Sequence, residues 1–242
     1  MLITTNVLSL YTTDISVVYS KENIMENKSE SAFKYIREKI ISGEYAPLSS
    51  LSESRLQEEL NTSRTPIREA ILRLRDLGFV YIYSSKATVV SELSLDLINE
   101  MYSTRFCCEP YAYASAVKHL DTTVLENFKE NFLNIPQELS NADKRMYLIK
   151  LDDGLHESLL KGCNNRFVFK TLSMVYDHNR RLRRFVTEQI SVSEHVALID
   201  AFLNEDEELI KQRTLEHLEH SRATTLHAYQ RGELSKLTTM KE

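Results

Sequence analysis

The stretch "SRTPIREAILRLRDLG", residues 63 to 78, constrains the fold more than any other part of the chain. Pro66 directly after Thr65 marks a helix start, because a proline at the first helical position forfeits no needed N–H and Thr65 can cap the free donors. Beyond it Ile67, Ala70, Ile71, Leu74 and Leu77 recur at helical spacing and predict a buried stripe, and Gly78 reads as the stop. Arg64, Arg68 and Arg75 project along one flank of that stripe. The next residues, "FVYIYSSKATVVSEL", alternate and are rich in Val, Tyr and Ile, which predicts two strands turning at Ser84, Ser85 and Lys86.

Two further short helices precede this unit. Phe33, Ile36, Ile40 and Ile41 form a helical stripe that ends near "SGEYAPL", where Gly43 and Pro47 interrupt it. Ser52 is the candidate N-cap of the second helix, whose Leu56 and Leu60 point inward. Three helices followed by a hairpin make a winged helix-turn-helix, whose third helix is free to enter a major groove. Arginine suits that task, since its planar fork can bond guanine O6 and N7 or phosphate oxygens. A solvated helix with scattered arginines is the competing reading for the third helix alone; the ordered set of elements favours the DNA reading.

Only five glycines and four prolines punctuate 242 residues, which favours helices with short connections for the whole chain. No apolar run approaches the ~18 to 20 residues needed to cross a bilayer. The amino terminus lacks the features of a secretory signal, so a cytoplasmic protein without membrane partners is expected. Residues 1 to 28 match neither a domain nor a helix pattern and are expected to be a flexible extension. The net charge of −5 argues against indiscriminate binding to nucleic acid. Cys107, Cys108 and Cys163 lack metal-type spacing and read as reduced, buried thiols.

All seven histidines lie beyond residue 118, so metal or proton chemistry belongs to the second region. There Asp152 and His156 stand one turn apart on the side of a helix that carries Leu148, Leu155 and Leu159. His195 falls in line with Leu198, Ile199 and Phe202. A carboxylate on an apolar face is costly unless paired or bound to a cation, and with imidazole it suits a divalent transition metal. Each feature is weak by itself, since a lone histidine on an apolar face is more often a satisfied core residue. Spacing does not choose among His217, His220 and His227.

The residues "ISGEYAPLSSLSESRLQEELNTSRTPIREAILRLRDLGFVYI" resemble the amino-terminal domain of the GntR family of bacterial transcription regulators. That resemblance implies DNA contacts from Arg64, Thr65 and Arg68, with Lys86 at the wing tip. Leu48 and Ala87 depart from it, standing where the family usually has glycines. "RFCCEPYAYASAV", "LDDGLHESLLKGCNN", "SEHVALIDAFLNED" and "TLEHLEHSR" are similar to the FCD ligand-binding domain of the FadR subfamily. By this likeness Asp152, His156, His195 and His217 are the ligands of a divalent metal ion, Zn first and Ni, Mn or Fe as alternatives. His220 and His227 are then surface groups or lie behind the ligands, Asn165 is a helix-end residue, and Arg105 binds the carboxylate of a small organic acid. The bland alternative for Arg105 is an i,i+4 ion pair with Glu109.

The expected fold is mainly α. It comprises a winged helix-turn-helix over residues 29 to 92, an all-α FCD-like bundle over 93 to 232 and a tail over 233 to 242. The expected function is a DNA-binding transcription regulator, most often a repressor in this family. It would act as a homodimer on an inverted-repeat operator under control of a small carboxylate effector at the metal. Two rivals use the same ligands: a metal-dependent hydrolase, for which the sequence shows no additional carboxylate placed as a base, and a regulator with a purely structural metal. The run Arg180, Arg181, Arg183 and Arg184 reads as a solvated face or an anchor for an anionic effector rather than a second DNA contact.

Overall fold

The computed structural model describes residues 28 to 84, 87 to 186 and 190 to 234. The expected amino-terminal extension, Lys86 and most of the expected tail lie outside the described residues. In chain order the elements are α1 (Lys28–Ile41), β1 (Ser50–Leu51), α2 (Glu53–Glu59), α3 (Arg64–Asp76), β2 (Val80–Ile82) and β3 (Thr88–Val90), then α4 (Leu95–Ala116), α5 (Thr122–Leu133), α6 (Asn141–Gly162), α7 (Arg166–Arg183), α8 (Val192–Leu203) and α9 (Glu207–Gln230). Local chemistry sets the helix starts. Ser52, Ser94, Asp121, Ser140, Asn165, Ser191 and Asp206 each turn a side-chain oxygen onto a backbone N–H of the first turn.

The first domain buries the stripes read from sequence: Ile36, Ile40, Leu56, Ile67, Ala70, Ile71 and Leu74 form one core with Phe79, Val80 and Val90. Two details differ from expectation. Helix α3 starts earlier, at Arg64, with Ser63 as its extended N-cap, so Thr65 caps nothing. Pro66 still fits, because it sits within the first turn, where an N–H has no intrahelical acceptor. The wing is also part of a three-stranded antiparallel sheet in the order β1-β3-β2. Two residues, Ser50 and Leu51, make the added strand, too short to show an alternating pattern.

At the other end of α3, Gly78 adopts φ +78°. Its N–H donates to Arg75 O at 2.9 Å and that of Phe79 to Leu74 O at 2.8 Å, the doubled closure of a Schellman turn. Leu48, where the resemblance led one to look for glycine, also has a positive φ, +65°, while its N–H donates to Val90 O at 2.9 Å.

Helices α4 to α9 pack around a second core that includes Tyr113, Phe128, Phe132, Leu155, Leu159, Leu172, Leu198 and Phe202. The cysteines are not uniformly buried as expected: Cys163 is in the core, but Cys107 faces outward from α4. Its neighbours one turn away explain this, since Ser103 and Tyr111 on the same face are exposed too.

Helix α7 joins the two domains. Asp177 accepts two hydrogen bonds from Arg37 of α1, at 2.7 and 2.5 Å. His178 stacks on Phe79, with ring centroids 4.2 Å apart. Arg181 is fully buried and donates to the side chain and carbonyl of Ser91, in the connection between the domains.

Candidate functional site

On α3 the residues expected to meet DNA stand on the surface. Thr65 is exposed, and the Arg64 and Arg68 side chains retain 62% and 48% of their accessibility. The opposite face carries Ile67, Ala70, Ile71 and Leu74 into the core, so packing fixes the direction in which the arginines point. Both are met by Glu53 of α2, 2.7 Å from Arg64 Nε and 3.1 Å from Arg68 Nε. Sequence reading did not single out Glu53.

In the bundle, Asp152 and His156 from α6, His195 from α8 and His217 from α9 are all buried and converge. Their donor atoms lie within 4.8 Å of one another. Helical spacing brings the first two together, since residues four apart share a face; packing of α8 and α9 brings the others. His195 Nε2 is 2.7 Å and His156 Nε2 3.5 Å from the same oxygen, Asp152 Oδ1.

The outer nitrogen of each ring is occupied. His195 Nδ1 donates to the Ser191 carbonyl at 2.7 Å, and His217 Nδ1 to Glu194 at 3.2 Å. His156 Nδ1 lies 2.6 Å from the Tyr113 hydroxyl, which pairs at 2.6 Å with that of Tyr176. Donation through Nδ1 leaves Nε2 bare on His195 and His217, the arrangement that outer partners impose on metal-binding histidines. A bare Nε2 facing a carboxylate oxygen sets two acceptors against each other. Indeed His195 Nε2, though buried, has no aligned hydrogen-bond partner among the described residues. A cation between these atoms removes the conflict, and three nitrogens with one oxygen suit a divalent transition metal.

The charges agree. Burial alone would raise the Asp152 carboxyl, but Arg183 and the His156 and His195 rings hold it well below the ordinary carboxylate range. Burial pushes His217 down to about 3, which keeps its ring neutral, the form a metal ion requires. Burial works to raise Glu194, yet its bonds to His217 and His220 bring it down to about 2.

The four residues line a cavity of about 350 Å³ together with Arg105, Arg145, Asn179, Arg183 and Glu194. Arg105 is 1% exposed. The plain ion pair with Glu109 does exist, through Nε to Oε1 and through Nη2 to Oε2 at 3.3 Å, but it is buried and leaves Nη1 without a partner among the described residues. His220 is half exposed and bonds Glu194, which also meets His217, and Asn165 caps α7, a helix-end residue as the resemblance implied.

The basic run does not form one solvated face. Arg181 is buried on Ser91, and Arg183 grips Asp152 with Nη1 and Asp153 with Nη2. Arg180 meets Asp153, Glu157 and Asp177; Arg184 alone is exposed. Glu194 and Tyr113, and the hold of Arg183 on Asp152, escaped sequence reasoning, because the partners lie on other helices.

Residues 28–90 match the family described as bacterial regulatory proteins, gntR family, and residues 100–220 match the FCD domain. The chain is 22% identical over 205 residues to the HTH-type transcriptional regulator YdhC of Bacillus subtilis (strain 168), covering 83% of this chain and 92% of that protein. It is 20% identical to the HTH-type transcriptional repressor RspR of Escherichia coli (strain K12), with 84% and 90% covered. Among solved structures, E. coli McbR/YncC superposes with a TM-score of 0.69 at 19% identity, covering 84% of this chain and 99% of that one. A transcriptional regulator GntR from Rhodococcus sp. RHA1 gives 0.66 at 19% identity, with 84% and 99% covered.

Proposed function

The chain belongs to the GntR family of DNA-binding transcriptional regulators that carry an FCD domain, and from that premise we propose that a divalent metal ion and a small carboxylate in the bundle control its hold on an operator. The observation that carries this reading is the set of three imidazoles and one carboxylate, buried and pointed at one another, with outer hydrogen bonds already in place.

Asp152, His156, His195 and His217 would hold the ion, Zn in the first instance, with Ni, Mn or Fe as alternatives. The bound ion supplies a cationic pole with coordination positions open to an organic acid. Arg105, itself buried, lends its Nη1 to the acid's carboxylate in the cavity, where a charge-assisted hydrogen bond is strong. Glu194, the carboxylate that a hydrolytic site would want as a base, is engaged by two imidazoles, which supports a holding role for it.

Arg64, Thr65 and Arg68 would meet base edges and phosphates in a major groove, with Lys86 expected at the wing tip. A homodimer would place two such helices on an inverted repeat, because a two-fold protein matches a palindrome. Repression is the reading we adopt, and the repressor named among the relatives supports it. The signal has a physical route: Arg183, which holds the ligand Asp152, shares α7 with Arg181, His178 and Asp177, the residues that meet the DNA-binding domain. A cytoplasmic site of action follows from this role.

The test is elemental analysis of the purified protein with mass spectrometry of any small acid released from it, followed by duplex binding with and without Zn²⁺. About one ion per chain and a duplex affinity that changes when Zn²⁺ is stripped and restored are expected. A protein that takes up no divalent ion, and binds its duplex identically with and without chelator, overturns the control mechanism.

A further inference from the structure

Glu53 is an acid on the face that must approach a polyanion. It stands at the first position of α2, where a negative side chain suits the helix dipole, and helix stability alone would account for it there. Its partners point further. The carboxylate lies 2.7 Å from Arg64 Nε and within 3.2 Å of Arg68 Nε with both oxygens. Glu53 keeps only 22% of its side-chain accessibility, while the arginines keep about half or more.

Both arginines spend Nε on this carboxylate. Among the described residues their terminal nitrogens have no protein partner. A guanidinium bonded through Nε is fixed in its plane, and the Nη edge is the one that reaches guanine O6 and N7 or a phosphate. One carboxylate therefore holds two reading heads, set one helical turn apart on α3, before any duplex arrives.

We propose that Glu53 is a positioning residue for operator recognition: it orients Arg64 and Arg68 and thereby raises discrimination between duplexes while lowering affinity for duplexes in general. The two effects have opposite signs. Its negative charge repels every phosphate backbone alike, whereas the ordered guanidinium planes favour only duplexes whose acceptors meet them, since order established beforehand lowers the cost of binding. This inference rests on the assignment of Arg64 and Arg68 as DNA contacts.

The test starts from a duplex enriched from a random library by the full-length wild-type protein, with a scrambled duplex of equal length as reference. Both affinities are measured by fluorescence anisotropy at one fixed salt concentration, for wild type, Glu53→Gln, Glu53→Ala, Glu58→Gln and Arg68→Ala. Glu58 is an exposed acid on the same helix, and its replacement makes the same change in charge. The Glu53 variants should bind the selected duplex ~10-fold or more weakly and the scrambled duplex as well as wild type or better. Glu58→Gln should strengthen both alike. If the Glu53 variants also gain equally on both duplexes, Glu53 is only a repelling surface charge and the proposal fails. A parallel loss on both, with a lowered melting temperature, overturns it as well, because the role is then structural. If instead Arg68→Ala leaves the selected duplex bound as tightly as before, the contact assignment itself falls and takes this inference with it.

Discussion

His178 Nε2 lies 2.8 Å from the carbonyl oxygen of Leu77, so a bundle helix supplies a hydrogen bond to the end of the helix that carries Arg64 and Arg68. A carbonyl can only accept, so Nε2 carries the proton, and Nδ1, buried, has no partner among the described residues. Burial, with Arg181 nearby, pushes this imidazole down to about 4 despite the bond to Leu77, which works to raise it.

That depression makes the domain junction sensitive to acid. The unfolded chain takes up the proton near pH 6.5 and the folded chain only near 4, so the contribution to stability is complete above about 6.5 and is lost as pH falls toward about 4. By pH 5 the loss is on the order of 2 kcal/mol. Melting temperatures of wild type and His178→Gln, measured from pH 7.5 to 5, should converge at the acid end. Parallel curves would contradict the assignment.

Leu48 occupies the left-handed region at φ +65° with its side chain 52% exposed. A left-handed conformation costs a residue with a Cβ ~1 to 2 kcal/mol, and glycine returns part of that through a freer unfolded chain. Leu48→Gly is therefore expected to stabilise the first domain by up to ~1 kcal/mol, read as a higher midpoint in urea with an unchanged slope.

At Gly162, α6 passes close to the end of α4 and the residues that follow it. A Cβ there would stand 2.9 Å from both Ala116 Cβ and Leu120 Cγ. Overpacking of this kind costs ~1 to 3 kcal/mol. Gly162→Ala should lower the thermal midpoint while leaving affinity for a selected duplex intact at temperatures where the variant is folded.

For the metal, the ligand and its outer partner should separate cleanly. His195→Ala is expected to abolish uptake of the ion and with it the rise in melting temperature that Zn²⁺ produces. Glu194→Gln keeps all four ligands but weakens the bond that orients His217, and should lower Zn²⁺ affinity ~10- to 100-fold. Equal metal content in His195→Ala and wild type would show that the ligand set is wrong.

Arg183 tests the route between the sites. Replaced by Met, it no longer links Asp152 to α7, although the four ligands remain. Zn²⁺ should still bind, but its effect on duplex affinity, expected at ~5- to 150-fold in wild type, should fall toward none. Titration of each protein with Zn²⁺ in the presence of a labelled duplex measures both quantities.

Local chemistry was legible from sequence wherever a residue acts on its own neighbourhood. Ser52 as a cap, Gly78 as a stop, the stripe from Ile67 to Leu74 and the strands flanking the wing follow from spacing and backbone preference, which operate within a turn or two. Resemblance extended this to Asp152, His156, His195 and His217 as a set, and the structure brings these four side chains together. The stretch Arg180 to Arg184 marks the boundary: four like cations in sequence become a surface ion-pair hub, a buried anchor on Ser91, a grip on Asp152 and one exposed side chain. Only packing decided among these, because the cost of burying a charge depends on partners supplied by distant helices, and no local pattern records which partner arrives. The same holds for Glu53 on the arginines, Glu194 behind His217 and His178 at Leu77.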